Sequence, residues 1–340
     1  MKPLTVLLLI PTGIGASIGG YAGDGIPIAR LLSGVADCLI THPNVLNGAI
    51  LSWPLPNVLY VEGYALDRWC AGEWALRPVH RNRVGVLLDC ALDPEQRVHH
   101  LNAIEAARWT LGIDVCGHCT TDAPVGVEVC TGTTGSWGTV RDPATLLRGA
   151  ERLVTAGAEA IAVVTRFPDL ESDAYLEGRG VDPIGGAEAV ISHLLVRHLG
   201  IPCAHAPALD PQIEATLVHP RVAAESLGPT FLPCVLVGLS RAPHYLPSDR
   251  ARSTDISAEH VDVVVTPVDA CGGAGLIALA GRGAPVIVAV EENTSYMNVT
   301  PEALGIKALR VRSYLEACGW LVGWKNGLSL TTGASCPEIF

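Results

Sequence analysis

Cys271 stands at the head of a glycine-rich stretch, Asp269-Ala270-Cys271-Gly272-Gly273-Ala274-Gly275. A thiol at the start of a helix feels the positive end of the dipole and ionises more readily, so it can take up and return a proton. Asp269, two residues earlier, is placed to orient or deprotonate a partner. Cofactor-independent amino-acid racemases work with one thiol from each of two pseudo-symmetric halves, a parallel of mechanism only. The competing reading is a buried structural cysteine. The matching place near the N-terminus carries Thr12 and Ser17, not Cys.

A second group of soft ligands is Cys116-Gly117-His118-Cys119, with Cys130 nearby. His118 is a proton-transfer candidate, because imidazole titrates near neutral pH. Cys116, Cys119 and Cys130 could supply three metal ligands, but a structural zinc site needs about four and no second CxxC follows at finger spacing. The alternative is a set of small buried thiols.

Asn44, Asn47, Asn293 and Asn298 can donate and accept hydrogen bonds, which suits a polar ligand, although asparagine after a strand is also an ordinary turn residue. Glu291, next to Glu292, and His42 occupy equivalent places and form a possible acid/base pair. Arg166 could clamp a substrate carboxylate bidentately, with Asp169 as its partner or a loop cap, and His205 is a further candidate after a short strand. Thr12, Ser17, Gly272 and Gly273 lie in turns whose backbone N–H groups could face an anion. Neither turn matches the dinucleotide fingerprint, and neither contains a Walker lysine.

These residues sit on a pattern that occurs twice. Leu4–Ile10, a glycine-rich turn, a helical stretch and Ala36–Ile40 form the first copy; Val261–Thr266, a glycine-rich turn, a helical stretch and Pro285–Val290 form the second. Open α/β sheets bind ligands beyond the carboxyl ends of their strands, where both turns would lie. Between the copies, Val84–Leu88, Ala160–Thr165, Pro202–His205 and Cys234–Leu239 read as strands. A helix is expected over 94–111, with Asp93 as N-cap, Pro94 at its first position and Gly112 as its stop. Gly135–Asp142 reads as a turn region, His99-His100 as surface, 221–227 as a helix and Arg166–Ile184 as a long loop.

The 340 residues are 49% hydrophobic and 17% charged, with 36 Gly and 24 Pro, a mix that fits a globular α/β protein and excludes a disordered or coiled-coil chain. Net charge is −11, and no basic cluster appears, which argues against nucleic-acid binding. Eleven irregularly spaced cysteines in so large a chain suggest reduced thiols and a cytoplasmic location. Lys2 followed by Leu4–Ile10 imitates a signal peptide but continues into the repeat, so a first β-strand is expected. No apolar run reaches the ~18 residues of a membrane span.

Five stretches resemble a bacterial, cyanobacterial and plastid family known as domain of unknown function 3326. They are Ile10-Pro-Thr-Gly-Ile-Gly-Ala-Ser-Ile-Gly-Gly-Tyr-Ala-Gly-Asp24, Thr41-His-Pro-Asn-Val-Leu-Asn47, Tyr60-Val-Glu-Gly-Tyr64, Phe231-Leu-Pro-Cys-Val-Leu236 and Val290-Glu-Glu-Asn293. The resemblance covers nearly the whole chain and implies one family unit, but carries no activity with it.

The expectation is therefore an α/β, Rossmann-like protein of two related, pseudo-symmetric lobes of mostly parallel sheet, residues 1–140 and 141–325, with a tail at 326–340. Its function is expected to be acid/base chemistry of isomerase, racemase or lyase type. The substrate would be a small polar carboxylate held between the two turns, with no cofactor, no nucleic-acid or membrane partner, and a possible homodimer. The alternatives are a nucleotide- or phosphate-dependent transferase, a metal-dependent hydrolase at Cys116–Cys130, and a non-catalytic ligand-binding protein.

Overall fold

The computed structural model describes residues 2–47, 55–168, 175, 177–209, 230–283 and 285–328. The N-terminal copy runs β1 (Thr5–Leu8), α1 (Ile26–Ser33), β2 (Cys38–Thr41), α2 (Pro43–Leu46) and β3 (Val58–Tyr60), then α3 (Gly63–Cys70) and β4 (Trp74–Arg77). The middle of the chain begins with β5 (Val84–Leu88), α4 (Pro94–Leu111), β6 (Val115–Thr120), β7 (Val127–Thr131) and β8 (Ser136–Val140). It continues through α5 (Pro143–Thr155), β9 (Ala160–Arg166), α6 (Gly185–Leu199) and β10 (Cys203–Ala208). The last third holds α7 (Leu232–Ser240), β11 (His244–Pro247), β12 (Val263–Pro267), α8 (Ala274–Gly281), β13 (Val286–Val290), β14 (Leu309–Val311) and α9 (Tyr314–Lys325).

The strands of the two copies share one six-stranded parallel sheet, in the order β14-β13-β12-β1-β2-β3. The copies start at the centre, β1 beside β12, and wind outward in opposite directions, the doubly wound arrangement. A second parallel sheet has the order β10-β9-β5-β6, and two antiparallel pairs, β4 with β11 and β7 with β8, complete the strands. Helices flank both sheets, as the alternation of elements requires. Both sheets take strands from both sides of residue 140, so a boundary there cuts through each of them.

The apolar runs form strands because they are covered on both faces. In β1, Val6 and Leu8 pack in one core with Ile26, Ala29 and Leu32 of α1 and Ala317 and Leu321 of α9. Leu7 points the other way, into a core with Leu66 and Trp69 of α3 and Leu276 and Leu279 of α8. On that side α3 also packs against α6, which lies over the second sheet, and so joins the two halves.

Local signals hold where they are strong. Asp93 caps α4, its Oδ1 accepting from the Gln96 N–H at 2.8 Å, and Gly112 ends it in the left-handed region. Three expectations need correction. Residues 234–239, read as a strand, belong to α7: a run buried nearly all round shows no helical period, so strand and helix cannot be told apart. Pro233 in the first turn and the Thr230 hydroxyl, accepting from the Leu232 N–H at 2.9 Å, start that helix. Gly135–Asp142 contains β8, which pairs with β7; both strands are polar and largely exposed, so no apolar run announces them. His100 is buried, its Nδ1 2.7 Å from the Gln96 carbonyl. The helix expected over 221–227 and the tail from 329 lie outside the described residues.

Candidate functional site

A cleft opens between the carboxyl ends of β1–β3 and the part of the second sheet that carries α6 and β10. From the first sheet come Thr12, His42, Asn44, Asn47 and Glu62; from the second come Asp182, Glu188, His193 and His205. Along α6 the lining residues are Gly185, Glu188, Ala189, Ser192 and His193, which recur at threes and fours and so share one helix face. Ala187, Ile191, Leu195 and Val196 on another face are buried in the core.

Two backbone approaches bring α6 to the first glycine turn. A side chain at Gly186 would stand 2.2 Å from the Ser136 carbonyl oxygen, so only glycine allows this contact. Gly13 is left-handed, with φ +70, and its carbonyl accepts from the Ser136 N–H at 2.8 Å. The start of α6, the β7–β8 pair and Thr12 are thereby held together at one wall.

Burial disfavours the ionised form of two of the cleft's carboxyls, Asp182 and Glu188. Asp182 accepts from the Ile184 N–H at 2.9 Å, yet burial and then the neighbouring Glu188 push its pKa up to about 7. Burial likewise raises Glu188, to about 8. His205 is buried and held neutral, its pKa lowered to about 3, with Nδ1 3.2 Å from Glu188 Oε1 and Nε2 2.7 Å from the Thr165 hydroxyl. Burial lowers His42 to about 4; its Nε2 accepts from the Ile10 N–H at 3.3 Å, so the neutral ring carries its proton on Nδ1.

Glu62 and His193 form a separate pair. Glu62 Oε2 caps α3 through the N–H groups of Tyr64 and Ala65, at 2.8 and 3.3 Å. Its Oε1 stands 2.8 Å from His193 Nδ1. Burial works against the charged ring, but the carboxylate overcomes it and the pKa of His193 rises. The contact is an ion-pair approach without an aligned hydrogen bond, so Glu62 raises the basicity of His193 through its charge.

Of the residues singled out from sequence, Thr12, His42, Asn44 and Asn47 line this cleft, and His205 does too. Asn44 and Asn47 are already engaged, Asn44 donating to the Gly19 carbonyl at 2.9 Å and Asn47 accepting from the Tyr60 hydroxyl at 2.9 Å. The two copies do touch, but through structural bonds. Asn293 Oδ1 accepts from the Ser17 hydroxyl at 3.1 Å and the Ile18 N–H at 3.0 Å, while its Nδ2 donates to the Ile18 carbonyl at 2.8 Å and the Tyr314 hydroxyl at 2.7 Å. Ser17 and Asn293 thus tie the copies together.

The second turn is closed. Cys271 has no exposure, and burial, then Asp269, pushes its thiol up to about 11, the reverse of an activated thiolate. Asp269 accepts from the N–H and hydroxyl of Ser295 at 2.7 and 2.9 Å. Beyond Gly272 and Gly273, the Gly275 N–H of α8 meets the carboxyl of Asp67, which takes the place an anionic ligand would have. Glu291 is exposed, 3.8 Å from Arg310, and Asn298 is an exposed left-handed turn residue.

The remaining candidates are dispersed. His118 is exposed on the edge strand β6, and Arg166 ends β9 away from the cleft lining; Asp169 lies outside the described residues. Cys116 and Cys119 are half-buried, with thiols raised by burial, and Cys130 is exposed on β7. Among the described residues no three His, Cys, Asp or Glu side chains group as a metal site. Sequence reading missed Glu62, Asp182, Glu188 and His193. The polar stripe on α6 was the signal for Glu188 and His193, and the resemblance stretch Tyr60–Tyr64 was the signal for Glu62; Asp182 had none.

Comparison with known proteins places the chain. A family model described as a protein of unknown function, DUF3326, matches residues 5–332. The chain belongs to the DUF3326 family. It is also similar to a protein of Synechococcus named an uncharacterized lipoprotein, 53% identical over 96% of this chain and 92% of that protein. That name overturns the expected cytoplasmic location, which rested on reduced cysteines and on reading Leu4–Ile10 as a strand rather than a signal peptide. No helix among the described residues is long and apolar enough to cross a membrane. Most of the stretches that carry the family resemblance, around Thr12, His42, Glu62 and Phe231, meet at the cleft.

Proposed function

We propose that the cleft is the active site of an enzyme that moves protons on a small polar molecule, of isomerase, racemase or lyase type. The observation that carries this reading is the placement of the buried Asp182 and the half-buried Glu188 together in one cavity, with pKa values raised toward neutral pH. General acid/base catalysis is most efficient when the pKa lies near the working pH. Glu188 with Asp182 serves as the acid side and His193, its basicity raised by the Glu62 carboxylate, as the base side. His42 Nδ1–H and Thr12 offer hydrogen bonds to the substrate. Three carboxyls and no Lys or Arg among the described lining residues favour a neutral or cationic substrate; Arg166, the candidate clamp for a carboxylate, is not in the lining.

The test is a thermal-shift screen of small amines, polyols and hydroxy- and keto-compounds, followed by incubation of the hits in D2O. A ligand that binds should gain solvent deuterium at carbon with the parent protein and lose that exchange with Glu188→Gln. Binding without exchange for every hit would leave a ligand-binding protein and sink the catalytic reading.

A further inference from the structure

Glu188, His205 and Thr165 form one hydrogen-bonded chain leading from the cleft into the second sheet. Both ring nitrogens of His205 are engaged, Nδ1 with Glu188 Oε1 at 3.2 Å and Nε2 with the Thr165 hydroxyl at 2.7 Å. The imidazole side chain is 1% exposed, and the Phe167 ring lies 5.2 Å from it, so the ring is held in this orientation.

A neutral imidazole has one donor and one acceptor, and a hydroxyl can serve as either. With Glu188 ionised, Nδ1–H donates to the carboxylate and the Thr165 hydroxyl donates to Nε2. With Glu188 protonated, its O–H donates to Nδ1, and Nε2–H donates to the Thr165 oxygen. The three groups hold two exchangeable protons in the first arrangement and three in the second, so the states differ by the one proton gained. Neither arrangement leaves a donor facing a donor, and neither requires an imidazolium in a buried site. The other titratable groups acting here are Asp182 ahead of α6, Asp89 at the end of β5 and Tyr60 on β3. Asp89 is held by the N–H groups of Ala91, Val125 and Arg166.

We propose that His205 is a positioning residue that changes tautomer whenever Glu188 gains or loses its proton, with Thr165 reversing its hydrogen bond in step. This inference rests on the reading of Glu188 as the proton-transfer group. It makes Glu188 a carboxyl that can be recharged without creating or stranding a charge deeper in the protein.

The experiment is a pH titration of 15N-histidine-labelled protein by long-range 1H–15N correlation. Across the Glu188 titration the protonated ring nitrogen of His205 should switch from Nε2 on the acid side to Nδ1 on the alkaline side. Glu188→Gln should abolish the switch, Thr165→Ser should keep it and Thr165→Val should lose it. A tautomer that stays fixed in the parent, or two nitrogens that protonate together, would overturn the inference. A switch in a protein that exchanges no ligand deuterium would uphold it while rejecting the catalytic reading; deuterium exchange with a fixed tautomer would do the opposite.

Discussion

An unfolded glutamate loses its proton near 4.5, whereas Glu188 keeps its own to about 8 because burial disfavours the carboxylate. Between those values the folded chain holds a proton that the unfolded chain has released, so the group lowers stability as pH rises through this window. Glu188→Gln removes that titration. The variant should therefore gain stability relative to the parent as pH rises from about 5 to about 9, by a few kcal/mol, since each pKa unit of displacement is worth ~1.4 kcal/mol. Denaturant midpoints at both ends measure the gain; a difference independent of pH would contradict the assignment. Residue type alone pointed instead to Cys271 and His118. A thiol's reactivity depends on exposure, which the glycine turn implied and the overlying Val299 segment removes.

At the scale of elements, caps and strands were legible because their causes are local: Asp93 and Gly112 set the ends of α4 wherever that helix packs. The paired asparagines were read as ligand contacts because their placement matches, but Asn293 is wholly buried and bonds the first glycine turn. Replacing it with Ala removes bonds on both sides of the contact between the copies and leaves buried partners unsatisfied. Asn293→Ala should cost about 2–4 kcal/mol, while the exposed Asn298→Ala should cost under about 0.5 kcal/mol. Thermal unfolding of the two variants tests the contrast, and equal losses would show that Asn293 is not the tie.

Over the whole molecule, the centre of the first sheet is the pairing of β1 with β12, with Leu7 opposite Val264. Residues 1–140 lack β12, β13 and β14 and also β9, the inner neighbour of β5. A fragment of that length should show no cooperative thermal transition by circular dichroism, because both sheets would present unpaired central strands. A fragment that melted cooperatively would restore the division at residue 140. The cleft belongs to this scale as well, since its walls come from both sheets.

The order of residues by itself determined the parallel α/β class, the repeated strand–turn–helix units, most strand positions and the helix caps, because each depends on neighbours within a few positions. Thr12, His42, Asn44 and Asn47 were legible for the same reason, as strand-end residues of the first unit. Only the tertiary structure decided that Glu62, Asp182, Glu188, His193 and His205 share a cavity and that Asp67 fills the end of α8. Those facts depend on the second sheet packing beside the first, and on desolvation, which no local pattern of residues records.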